Sequence, residues 1–218
     1  MVNLFTEMNK TVVKMALFFD YGQRAAEREY ERAVRVCKKL NLDLKRIELP
    51  WLAEITGTAI VNKDINLPEL KITNLYDKTF DAGKTAEKVW VPNRNGIFVN
   101  IAAAFAEELN CSFIVTGFNK EEGETFPDNS NEFIEAVNRS LLFSTLKKVK
   151  LLCFTARIDK KEIINKAIEL KVPFEEIWSC YEGMNLMCGK CESCVRLKRA
   201  IIESGAEDFL EGKVIFAD

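Results

Sequence analysis

Two hydrophobic periods run through most of this chain. Near-continuous apolar runs at residues 12–19 (VVKMALFF), 112–116 (SFIVT) and 149–154 (VKLLCF) read as strands buried on both faces, and 42–49 (LDLKRIEL) reads as a further strand. Between them lie stretches with apolar residues every three or four positions. Ala26, Tyr30, Ala33, Cys37 and Leu40 share one side of a helix over 24–40. Further helices are predicted over 95–109, 131–147 and 159–170, the last opened by the capping pair Asp159 and Glu162. Residues 50–95 show neither period and are rich in Thr, Asn, Lys and Pro. Thr56, Gly57, Thr58 and Pro68 suggest loops or a flap there.

Alternating strands and helices predict an α/β fold, a parallel sheet with helices on both faces, as one domain over residues 1–218. Ligands of such sheets bind beyond the carboxyl ends of the strands, so the polar segments after strands are the places to look. Three stand out: FDYGQ at 19–23, VPNRN at 91–95, and TGFNKEEGETFPDNSNEF at 116–133. Each alone has a plain structural reading. Asp20 would serve as a helix cap, Arg94 as a surface charge, and 127–130 as a turn leading into a helix.

Composition narrows the classes. With 48% apolar and 29% charged residues the chain is ordinary for a globular protein, and its net charge of −2 argues against a strong grip on nucleic acid. No leader-like or membrane-spanning apolar run is present, and a cytoplasmic location is expected. The chain contains no histidine, which removes Ser-His and Cys-His hydrolase schemes.

Seven cysteines fall into two groups. Cys37, Cys111 and Cys153 sit on a helix face or at strand-like runs and read as packing residues. Cys180, Cys188, Cys191 and Cys194 are spaced C-x7-C-x2-C-x2-C, as in a closed tetrathiolate zinc site within a subregion at 178–204. Gly189 supplies the backbone freedom that a turn between ligands needs. Four clustered core thiols are the competing reading, which the small and polar residues Gly189, Lys190, Glu192 and Ser193 between them oppose. Four thiolates leave no position for water, so the zinc is expected to be structural. The basic run Arg196, Lys198 and Arg199 is expected to form a solvated helix face.

Taken together, FDYGQ, VPNRN, GFN with FPD, and WSCYEG followed by CGKCESC resemble the 7-cyano-7-deazaguanine synthases, with order and spacing agreeing from Leu17 to Cys194. The resemblance implies a nucleotide-hydrolase-like (Rossmann-like) α/β fold with a C-terminal zinc knuckle and helix. It also implies an ATP- and Mg2+-dependent ligase that converts 7-carboxy-7-deazaguanine and ammonia to the nitrile, a precursor for deazaguanine modification of tRNA. On this reading Arg94 holds a phosphate or the substrate carboxylate, and Asp128 accepts hydrogen bonds from the guanine-like N1–H and 2-amino edge. Asp20, Tyr21, Gln23, Asn95 and Asn119 line the same mouth. A homodimer is expected, with no direct nucleic-acid or membrane contact. A zinc-stabilised module that binds a deazaguanine or a protein partner without catalysis is the alternative.

Two departures from the family pattern follow. Where many members carry a form like GYPDCR, this chain has Thr125, Phe126, Pro127, Asp128, Asn129 and Ser130. The family's SGGxDS pyrophosphate loop is absent, since no two glycines adjoin anywhere in the chain. Residues 1–18 fill the space that normally separates that loop from FDYGQ, so MVNLFTEMNKT reads as the helix that follows it. The expectation is therefore that Met1 is an internal methionine and the first strand and loop lie upstream; a shortened paralogue is the alternative. Either way the chain as written is expected to bind ATP poorly.

Overall fold

The computed structural model describes all residues except Lys78, Phe80, Asp218 and the side chain of Ala82. Along the chain run α1 (Val2–Met8), β1 (Met15–Asp20), α2 (Ala26–Lys39), β2 (Asp43–Glu48), α3 (Trp51–Glu54), α4 (Ile72–Tyr76), α5 (Ala82–Glu87) and α6 (Arg94–Glu108). Then follow β3 (Phe113–Val115), α7 (Lys120–Thr125), α8 (Asn131–Ser144), β4 (Lys150–Leu152), α9 (Lys160–Glu169), α10 (Glu192–Ser204) and α11 (Glu207–Leu210). Single 3-10 turns cover Pro127–Asn129 and Phe174–Glu176. The chain divides into two compact units, Met1–Met15 with Asn93–Val172, and Ala16–Pro92 with Pro173–Asp218.

In the first unit β3 and β4 pair in parallel, Phe113 opposite Lys150, Ile114 opposite Leu151 and Val115 opposite Leu152. The connection between them carries α7, the turn at Pro127–Asn129 and α8. The predicted runs at 112–116 and 149–154 are thus strands, shortened to the three residues where both are in register. Val99, Phe118, Ile134, Leu151 and Ala156 make the core, with Ile114, Phe133, Val137 and Cys153 packed against it. The Asn138 side chain donates to the Leu151 carbonyl at 3.1 Å and accepts from the Leu151 N–H at 2.8 Å. It thereby satisfies backbone groups of β4 that the ladder with β3 leaves over. Helix α9 begins with the predicted capping box of Asp159 and Glu162.

In the second unit β1 and β2 form a two-stranded sheet joined through α2. The predicted strand at 12–19 starts only at Met15, and Val12 is 80% exposed. Helix α2 carries Glu27 and Glu29 in its first turn and Lys38 and Lys39 in its last, which suits the helix dipole, and Cys37 is buried as expected. The unassigned stretch at 50–95 supplies α3, α4 and α5 with irregular links, among which Ala59 donates its N–H to the Lys88 carbonyl at 2.8 Å. Among the described residues no helix is long and apolar enough to cross a membrane.

Candidate functional site

In the first unit three candidate residues, Arg94, Asn95 and Asp128, meet where α6 begins. Asn93 stands before the helix with φ of 54°, a left-handed conformation that turns the chain sharply after Pro92. A Cβ at Gly96 would stand 2.2 Å from Oδ1 of Asn93, so a larger residue there would displace that side chain. Asn95 is buried, and its amide nitrogen donates to the Asp128 carbonyl at 3.3 Å while its oxygen accepts from Arg94 Nε at 3.3 Å. The Asn95 side chain therefore ties the start of α6 to the turn at Pro127–Asn129.

Asp128 is buried on that turn. Its carboxylate accepts from the backbone N–H of Asn95 and from the amide of Asn129, the latter at 3.0 Å. Burial pushes the Asp128 carboxyl above its ordinary range, against the opposing charge of Arg94 and these hydrogen bonds. A carboxylate at a helix N-terminus beside a guanidinium is suited to reading a paired N–H edge or to holding a helix start. The fourth candidate, Asn119, is buried and caps α7, its oxygen accepting from the Glu122 N–H at 3.1 Å.

The second unit holds the other candidates. Gly22, with φ of 82°, makes the tight turn after β1, and its N–H donates to Asp20 Oδ1 at 3.0 Å. Gln23 is buried; its oxygen accepts from the Tyr21 N–H at 3.0 Å, and its nitrogen donates to the Phe19 carbonyl at 3.2 Å and to Glu29 at 2.9 Å. Its amide thus fastens the turn, with Tyr21 buried beside it. Asp20 is ion-paired to Arg46, which also reaches Glu27 and lies 4.8 Å from the Tyr30 ring centroid. Arg46 was not foreseen from the sequence. The signal was there, for it shares with Leu44 the inward side of the alternating strand β2.

Cys180, Cys188, Cys191 and Cys194 form one buried cluster whose sulfurs all lie within 4.8 Å of one another, a four-cysteine metal-binding site. Cys188 and Cys194 Sγ are 4.0 Å apart, against an edge of about 3.8 Å for a tetrahedron with 2.3 Å bonds. Backbone N–H groups point at the sulfurs: Glu182 and Cys188 donate to Cys180 Sγ at 3.3 Å each, and Cys191 donates to Cys188 Sγ at 3.2 Å. Such bonds stabilise thiolates and orient them as ligands. Crowding splits the thiols, hydrogen bonds with Cys180, Cys191 and Cys194 driving Cys188 far below the usual range while those with Cys180 and Cys188 drive Cys191 and Cys194 above it. A bound cation would take all four as thiolates.

The knuckle is fastened on two sides. Leu70 donates its N–H to the Lys190 carbonyl at 2.9 Å, and Ala217 donates to the Met187 carbonyl at 2.7 Å. Gly189, with φ of 72°, packs so tightly that a Cβ would meet Lys198 Nζ at 2.5 Å. Cys191 stands just before α10. The basic run on that helix is not a solvated face. Arg196 pairs with buried Glu192 at 2.7 Å and Arg199 lies 3.6 Å from Glu203, their side chains 12% and 13% exposed. Lys198 lies 4.7 Å from the Phe216 ring centroid. Four-residue spacing on one helix lets the acids neutralise the bases locally.

Comparison with known proteins adds an independent line. The family described as Queuosine biosynthesis protein QueC matches residues 2–205. A 7-cyano-7-deazaguanine synthase of Desulforamulus reducens is 50% identical over 204 residues, covering 94% of this chain and 89% of its own length. Those of Pelotomaculum thermopropionicum and Methanosarcina barkeri are 47% and 45% identical, covering 94% and 90% of this chain and 93% and 86% of theirs. A solved structure, the U34-tRNA thiolase NcsA from Methanococcus maripaludis with its [4Fe-4S] cluster, aligns with 96% of this chain and 61% of its own at a TM-score of 0.42 and 14% identity.

Proposed function

The chain belongs to the family of queuosine biosynthesis protein QueC, by the match over 2–205 and by relatives 45–50% identical, and from that premise we propose that it is a 7-cyano-7-deazaguanine synthase. The reaction joins 7-carboxy-7-deazaguanine to ammonia with ATP and Mg2+. The substrate carboxylate takes AMP from ATP and releases pyrophosphate; ammonia displaces AMP to leave the primary amide. Adenylation of the amide oxygen by a second ATP, then loss of AMP and the amide protons, gives the nitrile. No side chain needs to shuttle protons as a histidine would. Positioning and charge stabilisation carry the rate.

The observation that carries the reading is the buried Asp128 carboxylate beside Arg94, both fixed by Asn95. Asp128 would accept from N1–H and the 2-amino group of the deazaguanine. Arg94 would hold the acid or a phosphate, a planar fork suited to either. Asn119, by capping α7, sets where the 126–130 segment returns. Asp20, Tyr21 and Gln23 would contribute through the shape of the turn after β1. Zinc is the metal we assign to Cys180, Cys188, Cys191 and Cys194, on the chemistry of four buried thiolates. It would cross-link the 178–204 region.

The glycine pair of the family's pyrophosphate loop is not found in these 218 residues, and we propose that the chain with this sequence binds ATP weakly. The test is turnover of 7-carboxy-7-deazaguanine with ammonia and ATP, read as the nitrile by mass spectrometry, alongside ATP titration and an intact mass of the protein from its native source. Nitrile formation by wild type that Asp128→Asn and Arg94→Met slow about a hundredfold or more supports the reading. Binding of the deazaguanine acid with no nitrile at any ATP concentration would replace it with the non-catalytic binding module.

A further inference from the structure

Arg24 follows directly on the turn at 19–23, and its side chain is only 8% exposed. Its guanidinium donates to Glu182 Oε1 at 3.1 Å, to the Asn62 carbonyl at 2.6 Å and to the Ile65 carbonyl. Its backbone N–H donates to the Ile60 carbonyl at 2.9 Å. Glu182 belongs to the loop between the first two metal-ligating cysteines, and its own N–H is the donor 3.3 Å from Cys180 Sγ. The next residue, Gly183, lies against Arg24 so closely that a Cβ would stand 2.4 Å from the Arg24 carbonyl oxygen. Four residues on from Arg24, in the first turn of α2, Arg28 donates to Asn185 in the same loop.

A short unbroken path therefore runs from a ligand sulfur to the Glu182 backbone, through its carboxylate to the Arg24 guanidinium, and so to Gln23 and Gly22. A buried guanidinium is costly to leave unpaired, so it follows its carboxylate or holds it in place. The loop and the turn are then not independent. We infer that Arg24 and Glu182 are positioning residues that couple the four-cysteine metal centre to the turn at 19–23, so that metal occupancy holds the turn and the turn holds the metal. The coupling stands on the geometry of this unit alone. That the turn serves the substrate rests on the functional reading above.

Linkage makes the effect reciprocal, which gives a readout that needs no turnover. In the zinc-loaded full chain, competition with a chromogenic chelator should show zinc bound about tenfold more weakly by Arg24→Met than by wild type. Lys39→Met, which deletes the 2.6 Å pair with Glu175 elsewhere on α2, should leave zinc affinity unchanged. Glu182→Gln keeps the side-chain shape and the N–H donor to Cys180, and it serves if Arg24→Met does not fold. It should weaken zinc binding in the same direction and speed amide hydrogen exchange at Tyr21 and Gly22. Wild-type zinc affinity and wild-type exchange in a natively folded Glu182→Gln would overturn the coupling. Weakened zinc binding and faster exchange with an unchanged KM for the deazaguanine acid would uphold it, and only the substrate role of the turn would fall.

Discussion

The Asn129 amide donates to Oδ1 of Asp128 at 3.0 Å, and both residues are buried on the turn that returns to the start of α6. One carboxylate oxygen is thus occupied by a neighbour that cannot itself ionise. The carboxylate also receives the Asn95 N–H at the positive end of α6 and the charge of Arg94. These groups favour the ionised form, yet burial outweighs them and Asp128 holds its proton to a higher pH than in an unfolded chain. A group kept in such an environment is a cost to the fold that function can explain.

Replacing Asp128 by Asn separates these roles. Because the native carboxyl titrates above its unfolded value, its contribution to stability is full at low pH and is lost as pH rises through the raised native value. Asp128→Asn should therefore match or exceed the wild-type Tm at neutral pH, with the difference shrinking as pH falls, while kcat/KM for the deazaguanine acid drops about a hundredfold. Calorimetry at two pH values and a turnover assay check this. A variant that loses Tm at neutral pH would make the carboxylate a cap for α6.

Gly22 is the tightest point of the turn after β1. Its φ of 82° is a left-handed conformation, and an added Cβ would meet Ala53 Cβ at 3.1 Å. Backbone strain and the close contact act in the same direction. Gly22→Ala is expected to lower stability by about 1–2 kcal/mol in urea denaturation. Gly57 is the control, since a Cβ added there would have nothing within 4 Å and its φ is not positive, and Gly57→Ala should change stability little.

Helical and strand periods located the elements well because burial is periodic. The fold was legible from Ala26 to Leu40 and from the Asp159–Glu162 box, where local pattern and capping agree. Strand lengths were not legible: 112–116 and 149–154 shrink to three paired residues, because pairing depends on the partner's register and not on the run itself. The cysteine cluster was legible, since ligand spacing is a local constraint. Asn129, Arg46 and the Arg24–Glu182 contact were harder to see, for their meaning comes from partners 1, 26 and 158 positions away that only the folded chain identifies.

Asn3 tests the reading of the first residues as a helix fitted to its unit. It is buried on α1, donates to Thr155 Oγ1 at 2.6 Å and accepts from the Phe154 N–H at 2.5 Å. Thr155 in turn donates to the Phe118 carbonyl, just beyond β3. Asn3→Ala strands the half-buried Phe154 N–H and part of that network. A loss of about 2–3 kcal/mol in equilibrium unfolding is expected, with zinc content unchanged.

Removing a ligand from the knuckle should act more strongly and without selectivity for chemistry. Cys191 stands just before α10 and is 2% exposed, and its backbone forms an isolated antiparallel bridge with Glu69. Cys191→Ala leaves three thiolates and an incomplete tetrahedron. Structural zinc contributes an apparent binding energy of about 10–16 kcal/mol, of which only part needs to be lost to matter. A loss of about 4 kcal/mol corresponds to a Tm lower by about 10 °C for a chain of this size. The variant should bind less than one equivalent of zinc by elemental analysis, and its melting transition should coincide with that of chelator-treated wild type. Full metal content at the wild-type Tm would mean that Cys191 is not a ligand.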